Sequence, residues 1–314
     1  MFKLIYVDNL RFLRSEEKLK IFNAFDLSDL CKLSLKDISN YLSRDFRKIH
    51  RLPNLKLVEL QQKIINKTGA KVVSLGSKDY PLKLKRIYDP PFAVYYKGNL
   101  PSPNFLSWAV VGSRQISRDL VDKIKELSSH LVSNHVEVIS GFAIGADIAA
   151  HLGAINEGKR TYAVIATDID NIYPKRNRKY VASLLENGGG VLTETLPYER
   201  IQSYFFAKRN RIVAGLSDAI FITYAPRKSG ALITAELGLD LGLDIYVYNI
   251  DYSGDGARIL YDSGAQEIKS VPDLYRILNV HYNEPEIGGD LDVCCVGKDI
   301  SSMLINELLN EISK

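Results

Sequence analysis

Three cysteines in 314 residues are too few to staple a fold. Cys31 stands alone, Cys294 and Cys295 are adjacent, and no histidine lies beside them at zinc-ligand spacing. The chain therefore reads as a protein of a reducing compartment, with no metal and no cofactor expected. Long apolar runs are also missing: no segment approaches the ~20 residues of a membrane span. The N-terminal MFKLIYVDNLRFL is interrupted by Asp8 and Arg11, which speaks against a signal peptide. A cytoplasmic protein without membrane contact is the expectation. An excess of one charge is absent as well, since 41 Lys and Arg face 37 Asp and Glu, a formal balance of +4. Electrostatic binding must then come from local clustering. Neither GxxxxGK[ST] nor GxGxxG occurs, so a P-loop and the dinucleotide fingerprint are unsupported.

What is present suffices for a buried core, with 46% hydrophobic and 25% charged residues. Residues 1–68 hold little glycine and no alternating pattern, and read as a small domain of short helices. Ser34 followed by Asp37 has the form of a helix start, with Ile38, Tyr41 and Leu42 at helical spacing. Residues 69–282 have another texture. After a proline- and tyrosine-rich connector come six short apolar runs: AVVG (109–112), VEVISG (136–141), YAVIA (162–166), GVLTE (190–194), AIFITYA (219–225) and DIYVYN (244–249). Segments of helical length separate them, which predicts an α/β fold with a doubly wound, mostly parallel sheet. Residues 283–314 are too few for a core of their own and are expected to form a tail or a docked arm.

Open α/β sheets bind ligands beyond the carboxyl ends of their strands. Three such junctions carry small residues at the turn: Gly112 and Ser113 before Arg114, Ser140, Gly141 and Gly145 in ISGFAIGAD, and Ser229 and Gly230 in APRKSGAL. Glycine admits close backbone approach, and a helix start offers free N–H donors, so three junctions on one edge point to an anion site. The word KRNR occurs twice, in YPKRNRKY and in FFAKRNRIV. On a helix, neighbours two apart diverge by about 200°, so Lys208, Arg209 and Arg211 cannot all face one pocket. Aromatics beside both words, among them Tyr173, Tyr204, Phe205 and Phe206, suit single-stranded nucleic acid or simply core packing. Candidates for acid–base chemistry are Asp147 with His151 four residues on, and the acids Glu194 and Glu236, none with an evident nucleophile.

Taken in order, DYPLKLKRIYDPPFAVYYKGN, AVVGSRQIS, VISGFAIGADIAAHLGAI, AVIATDIDNIYPKRN, GGVLTETLP, FFAKRNRIVAGLSDAIFITYAPRKSGALITAELGLDLG and SGAQEI resemble the DNA-processing protein A family (DprA, also called Smf) over about 200 residues. The resemblance implies an extended Rossmann-like core that binds single-stranded DNA, acts as a homodimer and loads the RecA recombinase in transformation or recombination. It implies no enzymatic activity. It also implies a sterile-alpha-motif-like (SAM-like) helical N-terminal domain. By the family's motifs, Arg114 and Lys175 line the DNA pocket, Ser140, Gly141, Phe142 and Gly145 form its glycine loop, and Arg209 and Arg211 belong to it. Phe142 or Tyr173 would offer a ring for base stacking. The sequence departs from the family at Thr167, where a glycine is usual, and at VYNIDYSGDG, where a VPG turn is usual. The winged-helix module of many members is shortened or absent. A second resemblance, to nucleotide phosphoribohydrolases of the lysine-decarboxylase-like group, rests on KSGALITAE and would make Glu236 catalytic.

Overall fold

The structure, a computed structural model, describes residues 1–46 and 50–282; the expected C-terminal tail lies outside the described residues. Helices α1 (Phe2–Asp8), α2 (Ser15–Ala24), α3 (Leu27–Leu30), α4 (Leu35–Leu42) and α5 (Leu55–Lys67) come first. α4 starts as its sequence predicts. The Ser34 side chain accepts the Asp37 N–H, and the Asp37 carboxylate accepts the Ser34 N–H.

Among the described residues the strands form one sheet of nine. They are β1 (Lys71–Ser74), β2 (Ala93–Gly98), β3 (Ser107–Val111), β4 (Glu137–Ser140), β5 (Thr161–Val164), β6 (Gly190–Thr193), β7 (Ala219–Ile222), β8 (Asp244–Tyr248) and β9 (Gln266–Ile268). Their order is β1-β2-β6-β5-β4-β3-β7-β8-β9. Only the β1–β2 and β2–β6 pairs are antiparallel. From β3 the chain steps outward through β4, β5 and β6, then returns to place β7 on the other side of β3. The winding reverses between β3 and β7, the topological switch point of a doubly wound sheet.

Helices cover both faces, and the period of two along each strand sorts side chains between them. Trp108 and Val110 of β3 point toward α6 (Arg118–Ser133) and α7 (Ala146–Asn156), while Ala109 and Val111 point toward α9 (Tyr204–Leu216) and α10 (Gly230–Asp240). Short α8 (Val181–Glu186) packs beside α7, and α11 (Asp255–Asp262) and α12 (Val271–Tyr282) close the β8–β9 side. Two cations of the connector's LKLKR have partners at the start of the sheet. Lys83 Nζ reaches Asp218 Oδ2 at 2.5 Å and Ser107 Oγ at 2.8 Å, and Arg86 donates to the Ser217 carbonyl. Both cations pin the segment to the bottom of β3 and β7.

The N-terminal helices do not stand apart. Ile5, Leu10, Ile21 and Ile65 share one hydrophobic cluster with Tyr95, Ala163 and Val191 of the sheet. Within that cluster sits a buried ion pair, Lys18 Nζ to Asp8 Oδ1 at 2.8 Å, with Tyr95 donating to Asp8 Oδ2 at 2.9 Å. Burial alone would raise the Asp8 carboxyl, but Lys18 and Arg11 outweigh it and hold Asp8 below its ordinary value near 3.8. Its stabilising contribution is therefore present above that pH and fades as acid titrates the native carboxylate. Arg11 to Glu199 at 2.6 Å and Gln61 to the Pro197 carbonyl at 3.0 Å complete the join. Removing the cation leaves the buried Asp8 carboxylate without its ion-pair partner, so Lys18→Met should cost about 3–5 kcal/mol of unfolding free energy. Urea denaturation at neutral pH measures this.

Candidate anion-binding site at the strand-order reversal

A cavity of about 560 Å³ opens at the carboxyl ends of β3 and β7. Its walls are the turn after β3 (Gly112 to Gln115), the start of α7 (Ala143, Asp147), one side of α9 (Phe206, Arg209, Asn210) and the start of α10 (Lys228 to Thr234). Backbone hydrogen bonds fix the turn. Ser113 N–H donates to the Tyr224 carbonyl at 2.8 Å, and Ala146 N–H donates to the Ser113 carbonyl at 3.2 Å. This clasp requires Gly145, whose φ is +84° and whose Cβ, if present, would lie 2.5 Å from the Ser113 oxygen. The turn thereby presents Arg114 to solvent, with its guanidinium carbon 5.4 Å from the centre of the Phe206 ring. Phe206 in turn meets Tyr173 edge-on at 5.9 Å, so an aromatic pair, Tyr173 exposed and Phe206 half-buried, flanks the arginine.

The floor is Arg209, only 7% exposed. Its guanidinium lies over Gly141: a Cβ there would come within 1.5 Å of Nη1. Glycine at 141 is thus the space in which the guanidinium sits. Asp147 is the one acid among the lining residues, and it accepts the Ala143 N–H at 3.2 Å. Burial raises the Asp147 carboxyl and Arg209 opposes that; burial lowers Arg209, Asp147 opposes it, and Arg114 adds to the lowering. The Arg209 Nε atom is buried without a hydrogen-bond partner. With Lys228 also on the wall, three cations share one carboxylate. The start of α10 adds main-chain donors, one of which, the Ala231 N–H, is already capped by Ser229 Oγ at 3.2 Å.

A family model described as DNA recombination-mediator protein A matches residues 71–279. The chain belongs to that family. It is 66% identical over 313 residues, spanning 99% of this chain and the whole of its relative, to the protein Smf of Borreliella burgdorferi. It is 37% identical over 198 residues to the DNA processing protein DprA of Streptococcus pneumoniae, covering 62% of this chain and 70% of that one. The X-ray structure of DprA from Streptococcus pneumoniae superposes with a TM-score of 0.68 at 30% identity, over 88% of this chain and 97% of the other. DNA processing protein A of Helicobacter pylori, a structure described for its unique single-stranded DNA binding mode, gives 0.60 at 27%, over 68% and 98%.

Of the residues singled out from sequence, the cavity collects Gly112, Ser113, Arg114, Asp147, Phe206, Arg209, Ser229 and Gly230. Ser140 donates to the Val110 carbonyl at 2.6 Å inside the core. Phe142 cannot stack on a base: it is fully buried at φ +64°, its ring against His151 at 5.7 Å, and it contributes a carbonyl that accepts from Asn177 at 3.0 Å. Arg211 turns away from the cavity to Glu194, which Lys208 also meets at 3.3 Å, so Glu194 serves as an ion-pair partner. Tyr173 and Lys175 are exposed at the end of β5, beside the cavity and not in its lining, and Arg178 folds back onto the Ile172 carbonyl at 2.7 Å. Glu236 does not line the cavity. Asn210, Gln115 and Lys228 belong to the walls without having been singled out from sequence. Asn210 follows Arg209 directly in KRNR, and that adjacency on one helix was its sequence signal.

Asp147 and His151 do not form an acid–base pair. His151 Nδ1 meets Thr161 Oγ1 at 2.7 Å and Nε2 has no partner. Burial, with Arg209 nearby, pushes the imidazole down from 6.5 to about 3, so it is neutral. A lowered histidine favours folding fully above the unfolded value and loses that contribution as pH falls toward the native one. Unfolding free energy of the wild type should therefore decline from pH 6.5 to 5. His151→Gln, which keeps a group able to bond Thr161, should flatten that limb in a pH series of denaturant melts.

Proposed function

We propose that this cavity binds the phosphates of single-stranded DNA and that the protein is a recombination mediator rather than an enzyme. The observation that carries this reading is Arg209, a guanidinium 7% exposed with an unpartnered Nε, on the floor of an open cavity beside the exposed Arg114. A cation held that deep is costly unless an anion meets it. A phosphodiester supplies that anion, and the forked guanidinium suits its oxygens. The flanking rings of Tyr173 and Phe206 provide faces for bases, the pairing of charge and stacking that suits single strands. Family membership and the DNA-binding mode described for the Helicobacter pylori relative support the same reading. On this reading Lys175 contacts the strand where it leaves the cavity. The family further supports a cytoplasmic homodimer that protects single strands and loads RecA onto them in transformation or homologous recombination; the rate of RecA filament assembly with and without the protein tests that part.

Anisotropy titration of a labelled oligothymidylate at several salt concentrations tests the site. With about three phosphates engaged, log affinity should fall against log salt with a slope of about −2, and Arg114→Ala should reduce its magnitude by about 0.7. Gly141→Ala changes no charge, yet it displaces the Arg209 guanidinium and should weaken binding in the same direction. Unchanged affinity in an Arg114→Ala, Lys175→Ala double variant overturns the assignment.

A further inference from the structure

A second groove, of about 860 Å³, adjoins the first and shares Gln115 with it. Three tyrosines line it: Tyr224 just past β7, Tyr248 at the end of β8, and Tyr252 on the loop that follows. Gln115, Ser117, Asp119 and Lys123 make up its other side. Tyr252 is 69% exposed, so its ring is open to a ligand.

The groove is built rather than incidental. Tyr252 N–H donates to the Asn249 carbonyl at 2.9 Å, Ala225 N–H donates to the Ser253 carbonyl at 2.7 Å, and Gly256 N–H donates back to the Ala225 carbonyl at 2.9 Å. These bonds fasten the loop carrying Tyr252 to the end of β7. Tyr224 lies over Gly254, where a Cβ would come within 3.3 Å of its ring. The backbone of the loop is thus fixed before any ligand arrives, which reduces the ordering left to binding.

We propose that this tyrosine groove is a second binding site, for the nucleobases of a single strand whose phosphates are held at Arg114 and Arg209. The inference rests on the DNA-binding reading of the first cavity. Sheet order supplies the continuity. Along the carboxyl edge, β5, β4, β3, β7 and β8 carry in turn Lys175, the Gly141 seat of Arg209, Arg114, Tyr224 and Tyr248. The five strands behind that row span roughly 19 Å, four spacings of about 4.8 Å. Cations occupy one half and rings the other. Charge divides the labour in the same way. The acid of the second groove is Asp119, and its lysine, Lys123, is paired with Glu126 at 2.9 Å, so the groove does not attract phosphate. Aromatic faces with Gln115 and Ser117 beside them suit neutral bases, whose π-faces stack irrespective of sequence.

The test compares an oligothymidylate with an abasic oligonucleotide of the same length, which keeps the phosphates and lacks the bases. Tyr252→Ala should weaken oligothymidylate binding about 5- to 10-fold, the lower range for one base–aromatic stack. Its abasic affinity and its salt slope should match the wild type, and Tyr252→Phe, which keeps the ring, should bind as the wild type does. Arg114→Ala should instead weaken both ligands. If Tyr252→Ala binds oligothymidylate normally while Arg114→Ala does not, the groove lies off the strand's path and the proposal fails, leaving the groove to a polypeptide partner. An equal loss on both ligands also overturns stacking. A wild type that binds neither removes the first site's reading as well.

Discussion

The site depends on one contact: the Arg209 guanidinium resting on the bare α-carbon of Gly141. Charge is normally kept at the surface because desolvating it is expensive. Here the helix that carries Arg209 crosses the carboxyl ends of β3 and β4, and a glycine at the β4 turn leaves a slot at that crossing. Asp147 offsets part of the buried charge without cancelling it, since Arg114 stands on the opposite wall. The field in the cavity stays positive, and Asp147 is committed to the Ala143 N–H and to that balance. Every wall then follows from the same constraint, because the turn bearing Arg114 must pack on Gly145 for the two guanidiniums to share a cavity.

The rotation of α9 is set from its other side. Lys208 and Arg211 both reach Glu194 at the end of β6, and Arg211 lies 3.9 Å from Asp89. One helical word therefore sends alternate cations in opposite directions. Arg209 goes to the cavity, while its neighbours fasten α9 to the sheet close to where the N-terminal helices dock. The ion pairs of Arg11 with Glu199 and of Lys18 with Asp8 lie on that same flank. The N-terminal helices and β6 thus share one hydrophobic cluster, which includes Ile5, Ile65 and Val191.

The parallel strands were legible because a strand buried on both faces needs an unbroken apolar, β-branched run, and six such runs stand in the chain. The edge strands were fainter. β1 and β9 have four and three residues, and only one of the three in β9 is buried. Site legibility divided along a similar line. Backbone roles could be read from glycine and serine at strand ends, and the divergence of Lys208, Arg209 and Arg211 followed from helix geometry alone. What sequence could not give was the direction of individual rings and cations. Phe142 looked available in its glycine loop, but a positive φ turns it into the core against His151. Arg211 looked like a ligand residue, but Glu194 is 17 positions away in sequence and became its partner only through the fold.

The identical spelling of the two KRNR words conceals opposite uses. In the first, Asn177 is buried and ties the 3-10 turn to the Phe142 carbonyl, so the uncharged residue does the structural work while Lys175 and Arg176 stay in solvent. In the second, a cation is buried and the asparagine, Asn210, sits in the cavity wall with its amide on the Gly230 carbonyl at 3.1 Å. The difference arises from the element on which each word falls. A short 3-10 turn at a sheet edge leaves long side chains outside, whereas an α-helix packed against the sheet must send part of its circumference inward. Where that inward part is arginine, the fold has to provide a glycine to receive it and an anion to balance it. The glycine is Gly141, and Asp147 supplies part of the balance.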